Sequence, residues 1–129
     1  MKTLTGHTTA VTDVAWRQLL CGRDILATCA DDQTVRIYDG ESFELVKIVN
    51  TYDIYGWHTL TYMTIDNCRD VLYVTTQNGY LVSWDLKTFE RTFCRKVHGG
   101  SIEGISLSKD AKDLLTIGSD CVLTRFGLP

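Results

Sequence analysis

From Val11 to Trp16 the chain alternates apolar and polar residues, the period of a strand with one buried face. Ile25 to Ala30 is almost wholly apolar or small, as in a strand covered on both faces. Thr34 to Tyr38 alternates again, and Phe43 to Val49 supplies a fourth segment. Polar clusters separate these runs at Cys21-Gly22-Arg23-Asp24, Asp31-Asp32-Gln33 and Asp39-Gly40-Glu41-Ser42. No stretch carries the apolar period of an amphipathic helix. The pattern predicts four short antiparallel strands joined by tight turns.

The same pattern recurs twice more. Asp32 stands six residues before Tyr38, Asn78 six before Trp84, and Asp120 six before Phe126, each time with a strand between. Tyr38 and Trp84 are 46 residues apart. Applied without a gap, that offset lays Val11, Val14 and Trp16 on Trp57, Leu60 and Tyr62, and Asp32 on Asn78. The third unit is 88 residues on at Phe126, but 91 on where His98, Ile102 and Ile105 match His7, Val11 and Val14. It is therefore three residues shorter, in the turn Ser108-Lys109-Asp110-Ala111-Lys112-Asp113. Four strands per unit and a period of roughly 45 residues describe the blade of a propeller.

Composition narrows the functional classes. The 129 residues carry a net charge of -3, which does not favour nucleic acid or an anionic membrane surface as partner. The one basic cluster, Arg91, Arg95 and Lys96, reads as a solvated face. Five cysteines are an odd number with no CxxC spacing, and Cys29 reads as a small buried hydrophobe. A reduced cytoplasmic or nuclear setting is expected. No apolar run approaches a membrane span, and no secretory leader is expected from Met1-Lys2-Thr3-Leu4-Thr5-Gly6.

His7 with Asp32 has the makings of an acid–base pair. The pair recurs as His98 with Asp120, however, and catalytic dyads are not duplicated unit by unit. Three histidines and five cysteines are scattered without ligand spacing. No catalytic residue, metal or cofactor is expected, and Asp31-Asp32 reads as a turn rather than a cation site.

These residues resemble the WD-repeat (WD40) family. The first unit has Gly6-His7 and closes on Tyr38-Asp39. The second closes on Trp84-Asp85 with Asp53 where His7 stands. The third keeps His98 and closes on Arg125-Phe126-Gly127. The resemblance implies an all-β fold, a β-propeller of WD-repeat type with three four-stranded blades, a partial propeller. One domain would span 1–129, with blades at about 5–49, 50–95 and 96–129 and residues 1–4 as an outer strand of a neighbouring blade. It implies a structural hydrogen-bond chain through His7, Thr28, Asp32 and Tyr38, and a partial one through His98, Thr116 and Asp120. The second unit has Asp53, Val74, Asn78 and Trp84 at those places, so its chain is broken. Packing by Trp57, Tyr62, Tyr73 and Trp84 is expected to compensate.

The resemblance also implies that partners dock on one rim of the propeller. The positions carried over are Ala10, Thr12 and Asp31; Gly56, His58 and Gln77; and Ser101, Glu103 and Ser119. As a set they are polar and mildly acidic, suited to a basic or hydrogen-bonding peptide. Tyr52, Tyr55 and Trp57 cluster in one loop, as docking anchors or as buried filling for the missing histidine. Trp84-Asp85-Leu86-Lys87 is loosely similar to the motif by which some WD-repeat substrate receptors dock on cullin-type ubiquitin ligases, with Lys87 where the motif prefers Arg. Three blades do not close a ring, and Lys2-Thr3-Leu4 supplies a strand that the third unit lacks. The remaining blades are expected from a longer chain or from a second copy. The function expected is a non-enzymatic protein–protein interaction scaffold, the alternative a ubiquitin-ligase substrate receptor.

Overall fold

The computed structural model describes residues 1, 3–54, 56 and 58–128; Lys2, Tyr55, Trp57 and Pro129 lie outside the described residues. The chain is all-β, in three antiparallel sheets. The first holds β1 (Val11–Gln18), β2 (Asp24–Ala30), β3 (Thr34–Asp39) and β4 (Leu45–Asn50), each beside the next. The second repeats that order with β5 (Leu60–Asp66), β6 (Val71–Thr76), β7 (Tyr80–Asp85) and β8 (Arg91–Lys96). The third has three strands among the described residues: β9 (Ile102–Leu107), β10 (Asp113–Gly118) and β11 (Leu123–Gly127). Met1, Thr3 and Leu4 are not in a strand.

The sheets stack face to face, and the first strands adjoin, β1 against β5 and β5 against β9. Strand alternation decides which side chains meet. Ile25, Ala27 and Cys29 of β2 and Val35 and Ile37 of β3 form one buried face. They pack against Leu72, Val74, Val82 and Trp84 of the second sheet. The opposite face of that sheet offers Tyr73 and Leu81 to Leu114, Phe126 and Leu128 of the third. β6 and β7 are thus covered on both sides, which is why β6 opens on the apolar run Val71 to Val74 while β1 alternates.

Hydrogen bonds latch neighbouring blades near the inner strands. The Thr12 hydroxyl donates to the Leu60 carbonyl at 2.6 Å and the Thr61 hydroxyl to the Ile102 carbonyl at 3.1 Å. The Asp13 carboxylate accepts from the Met63 N–H, and the Asp70 carboxylate from the Leu20 N–H. Arg69 ion-pairs with the buried Asp66 and also donates to the Ala111 carbonyl.

The two end faces have no such cover. Val14 pairs with Thr28 and Trp16 with Leu26, so these side chains point away from the second sheet. Val14 is 59% exposed and Trp16 52%, and Val11 and Leu45 are also exposed. At the other end Ile117 and Leu123 face each other across β10 and β11, both exposed. Apolar sheet faces of this kind mark association surfaces.

Strand register corrects the alignment of the second unit. Leu60 pairs with Thr76 as Val11 pairs with Ala30. β5 therefore follows β1 by 49 residues, whereas β6 follows β2 by 46. The hairpin between the first two strands is three residues shorter in the second blade, as it is in the third. The first blade has the long form, with Leu19 tucked into the core and Gly22 at φ 86° completing the turn. Val14 and Trp16 correspond to Met63 and Ile65, rather than to Leu60 and Tyr62.

Candidate docking face

One turn, repeated in each blade, builds the face. After the second strand the chain reverses through a residue of positive φ: Gln33 (65°), Gly79 (91°) and Cys121 (67°). Their N–H groups close the turn on the carbonyls of Ala30, Thr76 and Gly118. Only the second blade needs glycine there, because a Cβ at Gly79 would run into the His98 carbonyl and its neighbours. The residue two before that position is tied back to the entry of the first strand. Asp31 N–H donates to Ala10 O at 3.0 Å, Gln77 N–H to Thr59 O at 2.7 Å, and Ser119 N–H to Ser101 O at 2.8 Å.

These three bonds assemble three equivalent clusters at one end of the inner strands. In the first blade they hold Ala10, Thr12 and Asp31, and in the third Ser101, Glu103 and Ser119. In the second blade the corresponding residues are Thr59, Thr61 and Gln77, so Gly56 and His58 fall outside the set. Gly56 lies on the surface of the preceding loop. His58 is only 1% exposed. Its Nδ1–H donates to the Gly56 carbonyl at 2.9 Å and its Nε2 hydrogen-bonds the buried Thr51 hydroxyl at 2.7 Å. It fastens the loop 51–59 to the first blade, where Thr51 N–H donates to the Gln33 carbonyl. The missed signal was this longer linker, which cancels the shorter hairpin further on and so disguised the shift.

Ala10, Thr12, Gln77, Glu103 and Ser119 are exposed, and Asp31 and Ser101 half-buried. Thr12, Thr61, Tyr62 and Glu103 line one open groove along the inner strands. The hydroxyls of Thr12 and Thr61 are already spent on the inter-blade latches. Glu103, in the same place on the third blade, makes no ion pair among the described residues. Of the aromatics read as anchors or filling, Tyr52 is exposed, Tyr62 partly so, and Tyr73 and Trp84 are core. Tyr55 and Trp57 lie outside the described residues.

Beneath the face lie the histidine chains. His7 Nδ1–H donates to Asp32 at 3.1 Å, and its Nε2 hydrogen-bonds the Thr28 hydroxyl at 2.8 Å. Asp32 also accepts from the Thr34 hydroxyl at 2.6 Å and from the N–H groups of Thr8 and Thr34. Burial pushes the Asp32 carboxyl up, but the bonds from Thr34, His7 and Thr8 outweigh it and hold it below the ordinary carboxylate value. In the third blade His98 bonds Asp120 at 3.0 Å and the buried Thr116 at 2.8 Å. The Gly99 N–H does most to depress the Asp120 carboxyl. These carboxylates are saturated by turn groups, and neither histidine presents a free ring nitrogen. Such a set braces turns rather than moving protons.

Tyr38 departs from the expected chain. It is buried, but its hydroxyl makes no hydrogen bond among the described residues. The buried ring serves as packing. In the second blade Asp53 turns outward to a bidentate pair with Arg91 at 2.6 and 2.9 Å. Arg91 also donates to the Asn50 carbonyl and lies over the Trp84 ring at 5.7 Å. The ion pair and the cation–π stack thus tie the loop before the second blade to that blade's outer strand, and strand register makes Gly56 rather than Asp53 the counterpart of His7. Arg95 and Lys96 point to solvent.

Among the described residues no group of three or more His, Cys, Asp or Glu could hold a metal ion. Burial pushes the Cys29 thiol up to about 12, so it stays a thiol at neutral pH. No helix is long and apolar enough to cross a membrane.

No curated protein matches this chain at a significant level. Residues 1–39, through the end of β3, match the family model described as WD domain, G-beta repeat. With three antiparallel sheets stacked in order and the same turn and backbone tie in each, the chain fits the WD-repeat family.

Proposed function

We propose that this chain is a protein-docking scaffold whose recognition surface is the face formed by Ala10, Thr12 and Asp31, Thr59, Thr61 and Gln77, and Ser101, Glu103 and Ser119. The supporting observation is the threefold repetition of the backbone tie, which fixes nine residues from three blades on one side of the fold. WD-repeat domains generally bind protein partners and are generally non-enzymatic. Asp31 and Glu103 give the face an acidic character, so the partner proposed is a basic or hydrogen-bonding peptide segment.

The triple variant Asp31→Arg, Gln77→Arg and Glu103→Arg tests this reading. Affinity purification of the intact protein should recover a partner with the wild type and lose it with the variant, at an unchanged melting temperature. Retention of the partner by a folded variant would remove the face from consideration. The ubiquitin-ligase alternative gains nothing from the geometry. Trp84 is core, and Asp85 accepts from the Lys87 N–H to shape a turn. Asp39 makes the same kind of turn with Glu41 and Ser42 in the first blade.

We propose further that the two open end faces take additional blades, from a longer chain or from a second copy. Support comes from the apolar residues left exposed there and from the latch positions. Thr12 and Thr61 each donate to the next blade, and Glu103 occupies the third such position.

A further inference from the structure

At the end of the inner strands opposite the docking face, a cavity of about 310 Å³ runs across all three blades. Arg17 of the first blade, Thr64 and Asn67 of the second, and Ser106, Ser108 and Lys109 of the third line it. We propose that this cleft binds a phosphoryl group. Two cations reach it from different blades, and neither makes an ion pair among the described residues. No Asp or Glu lines it, in a chain whose net charge is -3.

Two nearby carboxylates are buried and occupied, and a third, Asp110, is exposed but engaged by its own turn. Asp66 is fully buried, held by Arg69 and by the N–H groups of Cys68 and Arg69. Asp70 is buried on the Leu20 N–H. Asp110 accepts from the Ser108 hydroxyl and the Lys112 N–H, which keep it ionised but engaged with its own turn. What remains open to a ligand is a guanidinium, an ammonium, an amide and the Ser106 hydroxyl. Donors drawn from three blades, in a lining that holds no acid, suit a tetrahedral dianion better than a planar carboxylate. The short hairpin of the third blade, Ser108 to Lys112, is what brings Lys109 to the cleft.

The test uses the full chain and a fluorescein-labelled glycine–serine peptide with one phosphoserine, read by anisotropy at fixed ionic strength. Its unphosphorylated form and inorganic phosphate, the latter by calorimetry, are the parallel arms. Saturable binding of the phosphopeptide but not its unphosphorylated form is expected. The pair Arg17→Glu and Lys109→Glu should weaken it at least tenfold, and Arg95→Glu, an exposed cation elsewhere, should leave it unchanged. Saturable binding of inorganic phosphate alone, with the same sensitivity, would support the site and make free phosphate its ligand. Equal binding of both peptides, no saturable binding, or an equal loss with Arg95→Glu would overturn the proposal. If the reversed pair does not fold, Arg17→Gln with Lys109→Gln takes its place, with the same tenfold criterion.

Discussion

Replacing Trp84 with alanine is expected to destabilise the protein by about 3–5 kcal/mol. The indole is 3% exposed and sits in the largest core, where the second blade meets the first. It touches the layer made by Ile25, Ala27, Val35 and Ile37, and its outer side carries the Arg91 guanidinium. Alanine would leave a cavity between two sheets that cannot close without shifting both, and would strip Arg91 of its stacking partner. For a domain with a total stability of about 5–15 kcal/mol, that is a large fraction. Trp84→Phe keeps most of the buried area and should cost less, about 1–2 kcal/mol. Urea midpoints at one fixed protein concentration measure both. An unchanged midpoint for Trp84→Ala would mean that the blades do not depend on this contact.

His58→Ala should lower stability by about 2–4 kcal/mol while leaving the docking face intact. The variant removes a buried ring and takes from the fully buried Thr51 hydroxyl one of its two partners, the Gln33 carbonyl remaining, and from the Gly56 carbonyl its imidazole donor. A docking residue on an exposed rim would behave the other way, losing the partner at constant stability. The same urea series, paired with affinity purification, separates the two. Loss of the partner from a variant with wild-type stability would return His58 to the recognition surface.

The contrast shows what the sequence carries. Apolar alternation and the recurrent Asp-to-aromatic spacing located the strands, because both follow from local geometry: the two-residue pleat and a turn that needs fixed residues. The repeated turn at Gln33, Gly79 and Cys121 was legible for the same reason. His58 was not. The linker before the second blade is longer and its hairpin shorter by three, so one gapless offset matched the later strands and misplaced the first. Only the pairing of Leu60 with Thr76 exposes the shift. The Arg91 stack on Trp84 was also hidden, since it joins an outer strand to a loop 38 residues earlier through Asp53. The cleft across the hairpin end depends on three blades converging, which no spacing within one repeat encodes.

The end faces also set how the chain behaves in isolation. Exposed Val14 and Trp16 on one face and Ile117 and Leu123 on the other would lie in water only if nothing covered them. An open apolar face beside the edge of β11, which pairs with no further strand among the described residues, favours association. The isolated 129-residue chain is therefore not expected to persist as a monomer. Light scattering coupled to size exclusion measures this directly. A particle near twice the 14.6 kDa chain mass, or larger assemblies that Ile117→Lys with Leu123→Lys disperses, is the predicted result. A monodisperse, stably folded particle of 14.6 kDa would contradict the claim that this is an open part of a propeller.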